Sequence, residues 1–467
     1  MESVYAVILA AGAGTRMKSA KAKVIHELCG KPMVNWVIDA VKASGIENII
    51  VVTGHQEEQV RACIGGNVEF VSQKEQLGTG HAVLQAKPLL DGKKGTCLVL
   101  CGDTPLITPE TIKELIHEHT ENRNDMTVLT AFPEKPEGYG RILRDASGQV
   151  AGIVEHRDAT PEQLKIREIN TGIYCFNIQS LLTSLGKLSN QNNQHEYYLT
   201  DTLSIILANG GKVGTSSVNC SDEVMGINDR VQLAWAQKIL NRRIIEEHMR
   251  NGVTFLDPDS CIIGCDVEIG MDTVVYPTTI LEGSTKIGQN CVIGPNSKIT
   301  DTVIGNNVTV LSSVTVESTI GDNTKVGPFA YLRPGSKIGK NVRIGDFVEI
   351  KKSVIGDDTK ISHLTYVGDA EVGRNVNIGC GVVFVNYDGE KKNKTIVGDN
   401  CFIGCNVNLV APVEIKPDAY IAAGSTITEE VPEYALAIAR CRQTVKENWV
   451  IKKGRLRGRK PEEKAEK

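Results

Sequence analysis

The sequence predicts an α/β domain followed by an all-β domain, and three observations carry this prediction. Up to about residue 220, short β-rich runs alternate with helical periodicity, which is typical of a doubly wound, Rossmann-like sheet. A single amphipathic helical stretch follows, near residues 230–249. After Gly252 an aliphatic residue recurs every six positions, a period that indicates a parallel β-helix.

Length and composition limit the class of protein. A chain of 467 residues is too long for one ordinary core, so at least two domains are expected. With 41% hydrophobic and 23% charged residues it falls among globular proteins, and a net charge of −4 argues against nucleic acid as a partner. The run of basic residues between Lys452 and Lys460, followed by Glu462 and Glu463, is interpreted as a solvated tail.

A cytoplasmic protein without a membrane span is expected. The apolar stretch Val4–Ala11 is too short to cross a bilayer and lacks the basic flank of a signal peptide. The 13 cysteines are odd in number and scattered through apolar stretches, which is typical of reduced thiols and not of a disulfide framework.

The first half of the chain supplies the strands and helices of the predicted sheet. Because strands and helices alternate, the sheet is expected to be parallel. The predicted strands are Val4–Leu9, Ile49–Thr53, Cys97–Leu100, Thr127–Thr130 and Gly172–Phe176, and the predicted helices include Met33–Ser44 and Pro109–Thr120.

The amphipathic stretch from Arg230 to Met249 is predicted to be one long connecting helix. Its apolar residues recur at steps of three and four, which places them on one face: Leu233, Ala236, Leu240 and Ile244. The expected domains are therefore residues 1–229 and 251–467, joined by a helical linker over residues 230–250.

The six-residue period after the linker is predicted to turn each aliphatic side chain into a narrow core. The residues concerned are Ile263, Ile269, Val275, Leu281, Ile287, Ile293 and Ile299; then Val326, Leu332, Ile338, Ile344 and Ile350; and finally Val397, Ile403, Leu409, Ile415, Ile421 and Ile427. A solenoid of this kind buries little surface per residue, so self-association, most simply as a homotrimer, is expected.

A glycine loop follows the first strand, in the run Leu9 to Met17. Such a loop indicates a phosphate cradle, because glycine lets backbone N–H groups approach an anion. The run lacks the Gly-Lys-Ser/Thr of a Walker loop, and Met17 replaces the third glycine of the dinucleotide fingerprint. Two cations that follow, Arg16 and Lys23, are suited to offset negative charge on a reacting phosphorus.

The run Leu9 to Met17 with Lys23 resembles the signature of sugar-phosphate nucleotidyltransferases. Further matches are Gln73 with Gln76–Gly80, Gly102–Leu106, Gly138–Arg141, Glu155, Asn170–Gly172 and Gly226–Asn228. Together with the C-terminal repeats, the chain resembles the family of bifunctional N-acetylglucosamine-1-phosphate uridyltransferases and glucosamine-1-phosphate acetyltransferases. The resemblance implies a left-handed parallel β-helix, a cytoplasmic enzyme of cell-wall precursor synthesis, and a trimer with acetyl-transfer sites between subunits.

For the N-terminal domain the resemblance implies uridylyl transfer from UTP to N-acetylglucosamine 1-phosphate, with Mg²⁺ held by Asp103 and Asn228. Arg16 and Lys23 would be catalytic. Gln73, Gly78 and Thr79 would contact the uracil; since Gln73 can hydrogen-bond uracil or thymine, UTP over dTTP rests on the resemblance. Gly140, Glu155 and Asn170 would hold the sugar. The other expected nucleotide contacts are Leu9, Ala10, Ala11, Gly12, Lys23, Cys101, Gly102 and Asn228.

In the C-terminal half, the residues that break the repeat are the candidates for function. His363 is the last of the nine histidines and the only one beyond the linker. The cations Arg333, Lys351 and Lys392 suit a phosphorylated substrate, and the polar run 386–392 interrupts the six-residue period. Acetyl transfer from acetyl-CoA to an amine requires a base, and histidine has a suitable pKa range.

The resemblance assigns roles to these residues. His363 would be the general base, oriented by Glu349. The expected contacts to glucosamine 1-phosphate are Arg333, Lys351, Tyr366, Asn377 and Lys392, and those to acetyl-CoA are Cys380, Asn386, Tyr387, Cys405, Ala423 and Arg440. The chain departs from the family pattern at Ala22 (usually proline), Cys101 (usually tyrosine), Cys380 (usually alanine) and Cys405 (usually serine).

Three alternatives follow from the same domain order. A monofunctional acetyltransferase with a vestigial N-terminal domain would have lost Arg16, Lys23 and Asp103, all of which are present. The β-helix could be structural or regulatory, leaving a monofunctional sugar-1-phosphate nucleotidyltransferase, but His363 with its neighbouring cations argues against this. The chain could also be a non-catalytic subunit like those of translation-initiation exchange factors. That alternative predicts loss of Arg16, Lys23 and Asp103, all of which are present.

Overall fold

The computed structural model describes residues 3–455, so Arg457, Arg459 and Lys460 of the expected basic tail lie outside the described part. The chain forms two compact units. The first runs to Asn251 and also includes Asp257–Val267 and Leu281–Gly283. The second contains Gly252–Leu256, Glu268–Ile280 and the chain from Ser284 onward.

The first unit is built on a twisted sheet whose main path has seven strands. From edge to edge they are Val213–Ser217, Met126–Ala131, Ile169–Asn177, Thr96–Cys101, Val4–Ala10, Asn48–Thr53 and Glu69–Ser72. A hairpin of Arg141–Arg144 and Val150–Val154 pairs with Ile169–Asn177, and a smaller hairpin joins Glu27–Leu28 to Lys31–Pro32. The five predicted strands are all present, each extended by one to four residues.

The expectation of a parallel sheet is wrong at one strand of the seven-strand path, and the attached hairpin is antiparallel as well. Ile169–Asn177 runs antiparallel to both of its neighbours, Thr96–Cys101 and Met126–Ala131. The described chain between Ala131 and Ile169 forms a β-hairpin and a short turn and contains no α-helix. A parallel neighbour needs a long crossover connection, usually helical, whereas an antiparallel neighbour does not.

Helices cover both faces of the sheet, which confirms the doubly wound architecture. Their bounds are Met33–Ala43, Glu57–Cys63, Thr79–Leu84, Lys87–Leu90, Pro109–Glu121, Ile178–Leu185 and Asp201–Ala208, with short 3₁₀ turns at Thr15–Met17, Lys23–Ile25, Gln163–Lys165 and Ser221–Val224. Along the first strand Ala6 and Ile8 belong to one buried core and Val7 to another, as the alternation of side chains along a strand requires.

The long helix spans Arg230–Arg250. The side chain of Asp229 caps its N-terminus, accepting hydrogen bonds from the N–H groups of Val231 and Gln232, each at 2.9 Å. The predicted apolar face is confirmed, because Ala236 and Leu240 are buried in a cluster against which Leu233 and Ile244 also pack.

The remaining strands form the β-helix. They are Thr254–Phe255, Ile262–Ile263, Glu268–Ile269, Val274–Val275, Ile280–Glu282, Lys286–Ile287, Val292–Ile293, Lys298–Thr300, Val303–Ile304, Thr309–Val310, Val314–Val316, Thr319–Ile320, Lys325–Val326, Tyr331–Leu332, Lys337–Ile338, Arg343–Lys351, Val354–Ile355, Lys360–Gly368, Ala370–Val372, Asn377–Ile378, Val383–Val385, Thr395–Val397, Phe402–Ile403, Asn408–Val410, Val413–Ile415, Tyr420–Ile421, Thr426–Ile427 and Leu436–Ala437, followed by a short helix Trp449–Lys452. A 3₁₀ turn, Pro258–Ser260, precedes the second of them.

The pairing of these strands confirms the predicted solenoid. Ile344 pairs with Ile361, Ile361 with Ile378 and Ile378 with Ile403, always in parallel and always between successive coils. The predicted aliphatic positions are buried, with Ile344 and Ile403 fully inaccessible, apart from Ile269 near the start, which is half-buried. Among the described helices, none is long and apolar enough to cross a membrane.

Candidate active sites

The first candidate site lies at the carboxyl ends of the sheet strands. Val4–Ala10 pairs with Thr96–Cys101 on one side and Asn48–Thr53 on the other, so the loops that leave these strands diverge there. Ligands of open α/β sheets bind at such a point. A cavity of about 400 Å³ opens here. Among its lining residues are these from the predicted nucleotide set: Leu9, Ala10, Ala11, Gly12, Lys23, Gln73, Gly78, Thr79, Cys101 and Asp103.

Four charged or polar side chains from distant parts of the chain form one hydrogen-bonded group, of which Lys23 and Asp103 line this cavity. The Lys23 ammonium donates to the Asp103 carboxylate and, at 3.2 Å, to Oδ1 of Asn228. Arg16 donates to the same Asn228 oxygen at 2.8 Å. The Ile227 N–H donates to the Asp103 carbonyl at 2.9 Å, which fixes the segment carrying Asn228 beside Asp103.

The oxygens of Asp103 and Asn228 fit the binding of a divalent cation. Both accept hydrogen bonds from one ammonium group, so they point to the same position. In residues 3–455 no group of three or more His, Cys, Asp or Glu residues gathers into a metal cluster. The donor set of Asp103 and Asn228, one carboxylate and one amide oxygen, suits Mg²⁺, which is usually held by few protein ligands together with water and substrate phosphates.

The backbone around Lys23 depends on its neighbours. Gly14 has a φ of +59°, and a side chain there would lie 2.5 Å from Cβ of Lys23, so only glycine allows this close approach. Ala22 stands where the family resemblance described above implies a proline. Its φ of −57° is one that proline shares, but its N–H donates to Oε1 of Gln59 at 3.3 Å, a bond that proline cannot make.

The residues expected to contact the uracil base form hydrogen bonds with other residues of the same unit. Gln73 is buried, and its Nε2 lies 3.0 Å from the Gly78 carbonyl and 3.1 Å from Nδ1 of His81. Oγ1 of Thr79 accepts from the Leu199 N–H at 3.1 Å. His81 is not among the residues expected at this site from the sequence.

The residues expected at the sugar form a second group. The Asn170 N–H donates to the Gly140 carbonyl at 2.9 Å, and its Nδ2 donates to the Tyr174 hydroxyl at 2.8 Å. The Thr200 hydroxyl donates to Glu155 at 3.3 Å, and burial raises the pKa of Glu155. Beside them, burial raises the pKa of Cys101 to about 12, so its thiol stays protonated.

The second candidate site, in the other unit, is centred on His363. Nδ1 of His363 lies 2.7 Å from Oδ1 of Asp346. This bond lowers the pKa of the Asp346 carboxyl, which is ionised at neutral pH. Because an ionised carboxylate can only accept, Nδ1 carries the proton and Nε2 is the basic nitrogen.

The expectation that Glu349 orients His363 needs correction. The strand register aligns Asp346 with His363 and Glu349 with Tyr366 in the next coil. The Glu349 carboxylate instead accepts from Arg333 at 2.8 Å. In the described chain, Asp346 is therefore the carboxylate that holds the imidazole, and sequence reasoning missed it.

A partly buried hydrogen-bond network surrounds Tyr366. Nδ2 of Asn386 donates to Oδ2 of Asp369 at 2.6 Å and lies 3.3 Å from the Tyr366 hydroxyl. Lys351 also donates to Asp369, at 3.3 Å. Lys351, Tyr366 and Asn386, which are expected to contact the substrates, are thus joined in one network with Asp369. Asp369 is not among the residues expected at this site from the sequence. A side chain at Gly368 would meet both the Tyr366 hydroxyl and Asn386.

The other predicted residues of this unit lie along neighbouring coils. Lys392 sits over the ring of Tyr387, with Nζ 4.2 Å from its centroid. Asn377 is in the strand Asn377–Ile378 and pairs with Phe402.

The remaining coenzyme candidates follow one edge of the β-helix. Cys380 and Cys405 occupy equivalent turns of adjacent coils, and Ala423 occupies the same turn one coil later, since Ile378, Ile403 and Ile421 pair in register. Arg440 lies beside this edge, with its Cδ 3.9 Å from the position of a side chain on Gly424.

Comparison with known proteins identifies the family models and the relatives that this chain matches. The model of the MobA-like NTP transferase domain matches residues 6–164, and that of the bacterial transferase hexapeptide (six repeats) matches residues 284–318, 317–352 and 394–429. Relatives named bifunctional protein GlmU include one from Acetivibrio thermocellus, 62% identical over 98% of this chain and 100% of the relative. The relative from Clostridium novyi is 58% identical over 96% of this chain and 98% of its own length. The relative from Caldanaerobacter subterraneus is 57% identical over 98% of this chain and 100% of its own length.

Proposed function

The chain belongs to the family of bifunctional GlmU proteins, and from this membership we propose which residues carry each of its two reactions. The protein is an enzyme of UDP-N-acetylglucosamine synthesis. It acetylates glucosamine 1-phosphate with acetyl-CoA and then transfers a uridylyl group from UTP to N-acetylglucosamine 1-phosphate, releasing pyrophosphate. Uridylyl transfer belongs to residues 1–229 and acetyl transfer to residues 251–467, with residues 230–250 as linker.

The observation that carries the assignment of uridylyl transfer is the hydrogen-bonded group of Arg16, Lys23, Asp103 and Asn228, in which Lys23 and Asp103 line the cavity. Asp103 and Asn228 hold Mg²⁺, which when bound neutralises phosphate charge. Lys23 and Arg16 approach the same position and offset the negative charge that develops as the sugar phosphate attacks the α-phosphorus of UTP. Gln73 and Gly78 hold the base, while Gly140, Glu155 and Asn170 hold the sugar in line for attack.

The proposal for acetyl transfer starts from the His363–Asp346 pair. Nε2 of His363 takes a proton from the amine of glucosamine 1-phosphate as its nitrogen attacks the thioester carbonyl, and coenzyme A leaves as the thiol. Asp346 keeps the proton on Nδ1. Arg333, Lys351 and Lys392 bind the substrate phosphate, and Tyr366 and Asn377 complete its pocket. Acetyl-CoA lies along Cys380, Asn386, Tyr387, Cys405, Ala423 and Arg440.

A homotrimer is proposed because an apolar stripe borders His363. The side chains of Phe329, Phe347 and Leu364 are each 59% exposed, and the two phenylalanine rings stack with centroids 5.5 Å apart. All three residues have the positive φ that other turns of the β-helix share, as at Ser312 and Asn341, so bulky apolar side chains occupy positions that disfavour them. A second copy of the chain is proposed to cover this stripe and complete the acetyl-transfer site.

Replacing Phe347 with glutamate is expected to convert the trimer to monomer and to abolish acetyl transfer while uridylyl transfer continues, because a charge cannot be buried in an apolar contact without a partner. Sedimentation velocity measures the first effect and the two assays measure the second. The Val303→Glu variant, at an exposed position on another sheet, should remain trimeric. A trimeric Phe347→Glu protein would argue against this interface.

A cytoplasmic location is proposed from the cysteines. All thirteen lie in the described part of the chain, where none forms a disulfide. That state suits a reducing compartment.

Asp346→Asn is expected to lower kcat of acetyl transfer about tenfold with little change in KM, since losing the orienting carboxylate forfeits part of the roughly hundredfold or greater contribution of a general base. Steady-state kinetics with varied glucosamine 1-phosphate measures this. Asp358→Asn, at an exposed carboxylate in a neighbouring turn, is the matched control. An unchanged kcat in the Asp346→Asn enzyme would remove Asp346 from the mechanism.

Product analysis by mass spectrometry tests the proposed function as a whole. The purified protein is incubated with glucosamine 1-phosphate, UTP and Mg²⁺, with and without acetyl-CoA. UDP-N-acetylglucosamine is expected only with acetyl-CoA. If it does not form, but added N-acetylglucosamine 1-phosphate is still uridylylated, the β-helix does not acetylate this acceptor.

A further inference from the structure

Two exposed cysteines face solvent from adjacent coils of the β-helix. Cys380 and Cys405 each follow an Ile-Gly pair, Ile378-Gly379 in one coil and Ile403-Gly404 in the next. Ile378 and Ile403 are paired in register, so the two cysteines occupy equivalent turn positions one coil apart. Both residues are exposed.

The backbones of the two turns are in direct contact. The Gly379 N–H donates to the Ile403 carbonyl, and the Asn406 N–H donates to the Cys380 carbonyl, both at 2.8 Å. A side chain on Gly379 would lie only 2.7 Å from the backbone nitrogen of Cys405. Adjacent strands are about 4.8 Å apart, which falls within the range of roughly 4.4–6.8 Å between the Cα atoms of a disulfide.

The other thiols of the described chain are differently placed. Burial raises the pKa of Cys97 to about 12, and that of Cys175 well above its usual value, so these thiols are unreactive. Cys220 and Cys441 are exposed, but neither occupies the same turn as another exposed cysteine in an adjacent coil. Cys380 and Cys405 therefore form the one such exposed pair within residues 3–455.

We propose that Cys380 and Cys405 are a dithiol site that reacts with low-molecular-weight disulfides. One thiolate attacks the disulfide and forms a mixed disulfide, releasing one small thiol. The second thiolate then attacks the protein sulfur of that intermediate, forming the Cys380–Cys405 bond and releasing the second small thiol. Two cysteine thiols are oxidised and one small disulfide is reduced to two thiols, so electrons and protons balance.

The location gives this reaction a consequence, which rests on the proposed function. The two turns belong to the edge that continues through Ala423 to Arg440, the proposed acetyl-CoA groove. A bond between the sulfurs draws the two side chains together across this edge and fixes the turns. Acetyl-CoA is then held in a changed position, whereas the uridylyl-transfer site, in the other unit, is unaffected.

Peptide mapping tests whether Cys380 and Cys405 form a disulfide with each other, independently of any enzymatic activity. The reduced full-length protein is treated with oxidised glutathione, the remaining thiols are blocked, and the unreduced digest is analysed by mass spectrometry. We expect a peptide pair joined through Cys380 and Cys405, with Cys220 and Cys441 carrying at most glutathione. Cys380→Ala and Cys405→Ser should each leave a glutathione adduct on the remaining partner. Separate adducts on both cysteines, or two unreacted thiols, in the unmodified sequence would overturn the proposal.

Activity measurements test the consequence. Oxidation is expected to lower acetyl transfer about tenfold or more, since misplacing a substrate by an ångström can cost about a hundredfold. Dithiothreitol should restore it, and uridylyl transfer should not change. The Cys380→Ala/Cys405→Ser enzyme, whatever its own rate, should be equally active before and after oxidant. A mapped disulfide with unchanged acetyl transfer would refute the effect on the groove. A reduced enzyme that never acetylates would instead refute the proposed function and leave the mapping result valid.

Discussion

His363→Ala is expected to reduce acetyl transfer about 100- to 10,000-fold, the range that a general base contributes, and to leave uridylyl transfer at its original rate. The reason is geometric. The Asp346 carboxylate, 2.7 Å from Nδ1, holds the proton there, so Nε2 of His363 is the nitrogen that can accept a proton from the attacking amine. Alanine removes this acceptor, whereas the cavity lined by Lys23 and Asp103 lies in the other compact unit.

Coupled assays of coenzyme A release and pyrophosphate release measure the two activities in the same preparation. His117→Ala is the matched control, because His117 is exposed on the helix Pro109–Glu121 and belongs to neither set of candidate site residues. Loss of both activities in the His363→Ala enzyme would count against independent sites. Retention of acetyl transfer would show that another group takes the proton.

Asp103→Asn is expected to lower uridylyl transfer at least about a hundredfold, with acetyl transfer unchanged. The carboxylate is the charged member of the proposed Mg²⁺ pair, and metal stabilisation of phosphate charge is worth several kcal/mol, where about 1.4 kcal/mol corresponds to a factor of ten in rate. Asparagine keeps the shape of the side chain and the hydrogen bond from Ile227 to the backbone of residue 103, so the fold should be preserved.

The measurement is the initial rate of pyrophosphate release as a function of Mg²⁺ concentration. Chelation by EDTA should stop uridylyl transfer in the unmodified enzyme and spare acetyl transfer. Asp91→Asn, at an exposed carboxylate of the same unit, serves as control. If the Asp103→Asn enzyme keeps its rate and its dependence on Mg²⁺, the metal is held elsewhere.

The solenoid could be predicted from the sequence because its period is local. Each aliphatic residue of the six-residue repeat faces the same core, so spacing alone identifies residues such as Ile344 and Ile403, which are fully buried. The direction of Ile169–Asn177 could not be predicted, because strand direction depends on whether a helical crossover intervenes. Between Ala131 and Ile169 a β-hairpin and a short turn stand in place of the helical crossover that a regular alternation of strands and helices implies.

Sequence motifs located His363 but not the carboxylate that contacts it, and the reason lies in the length of one coil. Three six-residue repeats make a coil of about eighteen residues, which would align His363 with Gly345. Ile344 is instead paired with Ile361, seventeen residues away, and this coil aligns His363 with Asp346. A turn that is one residue shorter changes which side chain stacks on His363. In the sequence this shorter turn is visible as the spacing from Ile350 to Ile355, which is five residues in place of six.

The coil that carries the polar run 386–392 has a consequence for how this protein can diversify. Ile378 and Ile403 are twenty-five positions apart and yet paired, after which Ile403 and Ile421 resume the ordinary interval. The additional residues therefore leave the stacking of the coils on either side unchanged. Because each coil depends only on its neighbours, natural variation can lengthen, shorten or rewrite this excursion, and so alter what the site accepts, without a compensating change in the core.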